Sequence, residues 1–380
     1  MSGSAAAATP RILHCHSTFS AGGKEVRCTR MMNAWGSRLD HTIISGQPEA
    51  MGARALIDPA VAAHFPADFP PLTGAPSPAR MAAIAKALHG YDLVCTYNWG
   101  AMDVVMAHRL FAQSFGLPPL VHHEDGFNED ETAGLKPTRN LYRRAALAQA
   151  AKLIVPSTGL EAIALNIWRQ PRAKVERIAN GIDTAAFAKP PQPDALPFPK
   201  PAGQRWVGTL AGLRAVKQLP LLVAACAQLP DDWHLVICGE GPEREAILAA
   251  ARAHGIAARV HLPGNVDPAR VIGLFDIFAL SSASEQFPLS VVEAMAAGLP
   301  LAAPAVGDIA AMVAAENRAQ ITPPGDGEAL ARALAQLAAD EGLRARLGAA
   351  NQAKARAEYD FAAMLASYHA VYSAAMGRGF

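Results

Sequence analysis

The fold is decided by residues 277–300, "IFALSSASEQFPLSVVEAMAAGLP". A short apolar run gives way to a polar loop and then to an alanine-rich stretch, which reads as strand, loop and helix. Pro288 suits a first helical turn, where its missing N–H would be unpaired anyway, and Gly298 with Pro300 marks the stop. The spacing predicts a helix over about 288–297. The same unit recurs along the chain. "RILHCHS" (11–17), "YDLVCTY" (91–97), "PPLVHHE" (118–124), "KLIVPS" (152–157) and "KVERIAN" (174–180) form one strand series. "RWVGTLAGL" (205–213), "HLVICGE" (234–240), "RVHLPG" (259–264), "IFALSS" (277–282), "LPLAAPAV" (299–306) and "AQIT" (319–322) form a second. Strands alternating with helical stretches imply stacked βα units, hence parallel sheets of the α/β class.

With 380 residues the chain fits two domains, at roughly 150 residues each. Between the two series lies "AKPPQPDALPFPKPAGQ" (188–204), whose six prolines forbid regular structure and predict an extended tether. This places a first domain at 1–187, a linker at 188–204 and a second domain at 205–361. Two doubly wound domains so joined leave a cleft at the carboxyl ends of their strands, where ligands of such sheets bind. Near Asp360 the last helical stretch breaks, and Phe361, Met364, Leu365, Tyr368, Val371 and Tyr372 then follow at helical spacing as one apolar stripe.

The composition is 51% hydrophobic and 18% charged, which describes a globular protein, and a net charge of +1 gives no global attraction to nucleic acid. Five cysteines without Cys-x-x-Cys spacing argue for reduced thiols in the cytoplasm and against a disulfide frame or a zinc site. The start "MSGSAAAATP" lacks the features of a secretory signal, and no apolar run approaches the ~20 residues of a membrane span.

Glu285 and Glu293 bracket the start of the predicted helix. The free amides of Leu289, Ser290 and Val291 would there make an anion site suited to phosphate. Glu293, about one turn in, has two acceptor oxygens for the vicinal hydroxyls of a ribose, and Glu285 lies where it would grip a sugar. Either glutamate alone equally suits a helix dipole.

The pattern Glu-x7-Glu in "E-x-F-P-L-S-x-x-E-A-M-A-x-G-x-P" resembles the retaining glycosyltransferases of family four, which have the GT-B fold of two Rossmann-like domains facing a cleft. "STFSAGGKE" (17–25), "IANGID" (178–183), "GTLAGLRAVKQLPLLVAA" (208–225) and "ICGEGPER" (237–244) fit the same family in order. The resemblance implies an acceptor-side first domain, completed by a helix at about 362–380, and a second domain that binds a nucleotide-sugar. It implies that Glu285 contacts the transferred sugar, that Glu293 binds the donor ribose, and that the run Phe287, Pro288, Leu289 and Ser290 holds the diphosphate together with Val291. Lys217 matches the family's phosphate clamp, while Gly22 and Gly23 would let backbone approach the diphosphate or acceptor. Val266 lies in a loop that would close over the base.

Two positions depart from the family pattern. The usual arginine falls at Gly212, so either Arg214 takes its role or the clamp rests on the lysine alone. Where relatives carry a histidine near the reacting sugar, this chain has Asp125, which would bind a sugar hydroxyl or orient the acceptor. His122 and His123 just upstream read either as core groups or as site residues.

The implied reaction moves a sugar from a nucleoside diphosphate to a hydroxyl acceptor with retention, by same-face attack rather than double displacement. A UDP-sugar is the first expectation for the donor and GDP-mannose the second. No Asp-x-Asp pair occurs, so neither a metal nor another cofactor is expected, and Glu129-Asp130-Glu131 reads as a solvated loop. Lys136, Arg139, Arg143 and Arg144 form a basic stretch that would attract anionic lipid or a lipid-linked acceptor at a membrane's inner face. The alternatives are a nucleotide-sugar-binding subunit with little catalysis and a Rossmann dehydrogenase; the latter lacks a Gly-x-Gly-x-x-Gly after the first strand.

Overall fold

A computed structural model describes residues 8–75, 77–127, 131, 134–190, 192 and 194–380. The chain forms two compact units, Met1–Ile178 with Leu365–Phe380, and Ala179–Met364.

The first unit is built on β1 (Arg11–His16), β2 (Asp40–Ser45), β3 (Ala63–His64), β4 (Leu93–Tyr97), β5 (Leu120–His123), β6 (Lys152–Val155) and β7 (Val175–Arg177). They form a parallel sheet in the order β3-β2-β1-β4-β5-β6-β7. β2 and β3 go beyond the strands read from the sequence. Alternation along the strands sorts two kinds of side chain. Leu13, Cys15, Val94, Leu120, Leu153 and Val155 join an apolar core with Ile84 and Val104. The intervening His14, His16, Tyr97 and His123 are also buried, on the opposite face. That face meets helix Gly23–Trp35 through Cys28 and helix Phe361–Met376 through Tyr372.

The second unit contains β8 (Arg205–Leu210), β9 (Trp233–Cys238), β10 (Val260–Gly264), β11 (Ile277–Ala279), β12 (Leu301–Pro304) and β13 (Ile321–Thr322). Their order is β10-β9-β8-β11-β12-β13, again all parallel. Read outward from β8, this is the doubly wound order whose direction reverses between β8 and β11. Two apolar clusters cover its faces, one around Phe278, Val291 and Leu301 and the other around Val207, Leu235 and Leu334.

The proline-rich segment is not a free tether. Leu196 is 6% exposed, Phe198 meets the Trp206 ring edge-on, and Lys200 Nζ reaches Asp276 Oδ2 at 2.6 Å. Proline forbids ladder hydrogen bonds but not apolar burial, and this segment packs along the second unit. Accordingly the units divide at Ile178/Ala179 rather than beyond Phe187. Ile182 bridges to Asp360, and Thr184 Oγ1 donates to Asp360 Oδ2 at 2.6 Å, which ties residues 179–187 to the second unit. The break before the last helix falls at Asp360, whose Oδ1 accepts from the Ala362 amide.

Candidate active site

In the second unit the loops after β8 and β11 leave adjacent strands at the reversal point, where α/β sheets bind ligands. Lys217, at the end of the β8 loop, pairs through Nζ with Glu285 Oε1 at 2.5 Å. Ser282 Oγ donates to the same carboxylate oxygen at 2.7 Å. Two further bonds stitch the loops together: Ser281 Oγ donates to Lys217 O and the Ala283 amide to Val216 O, both at 2.8 Å. Glu285 Oε2 has no partner among the described residues, so the pair leaves one oxygen for a ligand. Gly307 supports this loop from behind. Its φ is +54°, and a Cβ there would lie 2.4 Å from Glu285 O and 2.7 Å from Gln286 O. Ser282 and Gly307 were not singled out from the sequence; a glycine just after a strand was the available signal for the second.

The helix after this loop runs Leu289–Ala296, with Pro288 as its extended N-cap, one residue shorter at each end than the spacing predicts. The Leu289 and Ser290 amides have no backbone acceptor among the described residues, whereas the Val291 amide is already bonded to Pro288 O at 3.1 Å. Two unbonded amides, rather than the three expected, therefore stand at this helix start. Pro288 is buried and has no amide hydrogen, so it fixes the chain's entry without contacting an anion. Phe287 packs edge-on against Tyr359, and Glu293 is half-buried one turn into the helix. Val266 packs on the same apolar cluster as the helix, beyond the end of β10.

Arg214 is exposed, yet its side chain folds back: a Cβ built on Gly212 would lie 3.7 Å from Arg214 Nε. The guanidinium stem thus occupies the ground from which a side chain at 212 would start.

In the first unit, Gly22 caps helix Gly23–Trp35 with φ −94° and ψ 172°, so neither glycine uses the left-handed region. Openness is what they supply: a Cβ on Gly23 would meet nothing within 4 Å, and one on Gly22 would meet only the Glu25 side chain. Lys24 pairs with that same Glu25.

Asp125 is placed differently from the expectation. Arg27 holds both of its carboxylate oxygens, at 2.5 and 2.8 Å, with side chains only 7% and 13% exposed. Burial would raise the Asp125 carboxyl, but the charge and hydrogen bonds of Arg27 overcome it and hold the group below the usual carboxylate range. The Asp125 amide donates to Asn98 Oδ1 at 2.7 Å, and Asn98 itself has φ 54° and ψ −172°. Such a backbone costs about 1–3 kcal/mol and is kept only where surroundings enforce it. Asp125 is therefore the anchor of a buried guanidinium, which the sequence reading missed because 98 residues separate the partners. His122 and His123 are core groups, bonded to Thr96 Oγ1 at 2.8 Å and to Tyr372 Oη at 2.9 Å.

The basic stretch does not form one exposed face. Arg143 is fully buried between the Glu124 and Glu131 carboxylates, with the rings of Trp99, Phe127 and Trp168 at 5.0–5.3 Å. Arg139 pairs with Glu131 and lies over Trp99, and the Lys136 amide also points at Glu131. Arg144 alone of the four is exposed. Glu131 is buried rather than solvated, while Glu129 and Asp130 lie outside the described residues. Among the described residues no helix is long and apolar enough to cross a membrane.

Two parallel doubly wound units, the second with an acid and a base paired at its reversal point, define an α/β enzyme of the GT-B type. Residues 196–354 match the family described as Glycosyl transferases group 1, and residues 21–186 match Glycosyltransferase Family 4. The chain belongs to the family 4 glycosyltransferases. It is 29% identical over 292 residues to a D-inositol 3-phosphate glycosyltransferase of Xylanimonas cellulosilytica, covering 70% of this chain and 68% of that one. An N-acetyl-alpha-D-glucosaminyl L-malate synthase of Bacillus anthracis is 26% identical over 210 residues, 53% of this chain and 54% of that one. Among solved structures, HepE of Anabaena in complex with UDP superposes with a TM-score of 0.79 at 19% identity, over 96% of this chain and 100% of that one.

Proposed function

We propose that this glycosyltransferase is a retaining enzyme that moves a sugar from a UDP-sugar to a hydroxyl acceptor in glycan, polysaccharide or glycolipid synthesis on the cytoplasmic side. The Lys217–Glu285 pair beside two unbonded helix amides carries the reading, since it sets a cation, an acceptor oxygen and two donors at one strand crossing. Lys217 and the Leu289 and Ser290 amides neutralise the leaving diphosphate, which takes the acceptor proton on the same face as it departs. Glu285 orients the transferred sugar and Glu293 the ribose. Arg214, folded over Gly212, supplies the second cation. The chemistry proceeds without metal. GDP-mannose is the competing donor, and the similarity to HepE, a protein solved with UDP, favours the uridine nucleotide.

A thermal-shift series against UDP, GDP and their sugars tests the donor. A ligand at 100 times its Kd stabilises the folded state by about 2.7 kcal/mol. UDP should raise the melting temperature and GDP should not; the reverse result replaces the donor. Donor hydrolysis should continue in EDTA, stop in Glu285→Ala and give an anomer of unchanged configuration by NMR. Tight UDP binding with no turnover on any acceptor would favour the binding-subunit alternative.

A further inference from the structure

We propose that the first unit holds a site for a thiophilic divalent cation of the zinc type, formed by His14, His16 and Cys28 and separate from the sugar-transfer chemistry. His14 and His16 are two apart on β1, so the strand's period places both rings on one face, with centroids 6.5 Å apart. Cys28 comes down onto that face from helix Gly23–Trp35. One ligand atom from each of the three lies within 4.8 Å of the others, and all three residues are buried. His14 Nδ1 and Cys28 Sγ are 3.7 Å apart. Tetrahedral zinc with Zn–N of about 2.0–2.1 Å and Zn–S of about 2.3 Å would separate the same two atoms by about 3.6 Å.

His16 is the independent observation. It is 0% exposed, and neither ring nitrogen has a hydrogen-bond partner among the described residues. A buried polar atom left unpaired is destabilising, and a bound cation removes that penalty. Tyr97 lies parallel to the His16 ring at 4.0 Å, and its hydroxyl stands 3.0 Å from His14 Nδ1 and 3.5 Å from Cys28 Sγ. That oxygen is placed to complete the ligand set. On the far side, His14 Nε2 meets His41 Nδ1 at 3.0 Å, the kind of outer partner that orients a metal-binding imidazole. One thiolate with imidazoles selects zinc-like ions over magnesium or calcium, which take oxygen. The nearby cations Arg27 and Lys24 are each paired with a carboxylate, Asp125 and Glu25. Binding releases the Cys28 proton to solvent and ties the end of β1 to the helix, across the loop that carries Gly22. The sequence spacing missed this because its ligands come from a strand and a helix rather than from a Cys-x-x-Cys knuckle.

The buried position means that the ion enters during folding or by slow exchange, so the test uses tag-free full-length protein expressed in zinc- or cobalt-supplemented medium. Elemental analysis should find about one equivalent of metal per chain. The cobalt form should show a thiolate-to-cobalt charge-transfer band. Cys28→Ser should lose the band, and His16→Gln should lose the metal. The exposed-histidine control His64→Gln should keep both. Far-UV circular dichroism of each metal-free variant reports whether it folds; for a variant that does not, the wild-type band and stoichiometry decide. Wild-type protein without metal or without the band overturns the site, as does metal that survives in folded Cys28→Ser or disappears in His64→Gln.

Discussion

At the residue scale, two ion pairs have opposite uses. Lys217–Glu285 is partly open, with side chains 15% and 11% exposed, and one carboxylate oxygen remains for a ligand. We expect Lys217→Ala and Glu285→Gln each to lower kcat by about 10²–10³-fold, the range for losing one preorganised electrostatic contact. Because the groups touch, the double variant should lose less than the product of the single losses, which a double-mutant cycle on kcat measures. Arg27–Asp125 is closed, with both oxygens occupied. Arg27→Met leaves a buried carboxylate without its partner and should cost about 3–5 kcal/mol in a urea melt, largely recovered in Arg27→Met with Asp125→Leu. An unchanged urea midpoint in Arg27→Met would show that Asp125 has another partner. Glu285 was legible in the sequence because its neighbours form a local pattern within one βα unit. The closed pair was not, because no local pattern joins residues 27 and 125.

At the element scale, the site is a product of strand order. β8 and β11 are neighbours in the sheet although two other strands separate them in sequence, and their loops are laced by Ser281, Ala283 and the Lys217–Glu285 pair. Gly307, after β12, closes against the same loop with φ +54°. Gly307→Ala places a Cβ inside contact distance of two carbonyl oxygens and in a disfavoured conformation. It should cost about 1–3 kcal/mol and weaken the thermal shift produced by UDP, although residue 307 presents no side chain to the nucleotide. Equal shifts in variant and wild type would mean that the Glu285 loop adapts without consequence. The two ends of the helix were legible, to within one residue, from Pro288 and Gly298. That Val291's amide is already bonded depends on the N-cap geometry, which spacing alone does not give.

At the scale of the whole molecule, the last helix supplies Tyr368 and Tyr372 to the core of the first unit, more than 180 residues after Ile178. Deleting residues 365–380 should uncover the polar face of the first sheet, read as increased binding of a hydrophobic dye with the second unit's UDP response retained. The same packing sets a pH response. His123 is held at about 3 by burial first, then by the charge of Arg27, against Asp125 and the Thr96 carbonyl, with His122 adding to the depression. Tyr372 and Tyr368 face the ring from the last helix. A depressed histidine binds fewer protons folded than unfolded, so its stability is complete above about 6.5 and is lost as pH falls towards about 3. The contribution of one such group to the slope is up to about 1.4 kcal/mol per pH unit, and His123→Gln should reduce the slope by that share in urea melts taken between pH 7 and 4, the buried His14, His16 and His41 keeping the rest.

What the sequence by itself determined is what local periodicity encodes: the βα alternation, all six strands of the second sheet, the helix start between Glu285 and Glu293, and the break at Asp360. Only the tertiary structure decided which charges are buried. Arg143 reads as a surface cation in sequence and is enclosed by two carboxylates and three rings in the fold. Asp125 reads as a site acid and is held by Arg27, and the proline segment reads as a tether and packs as a wall. The physical reason is the same in each case. Periodicity records which face of an element is apolar, whereas the partner that makes a buried charge tolerable is chosen by strand order and by loops distant in sequence.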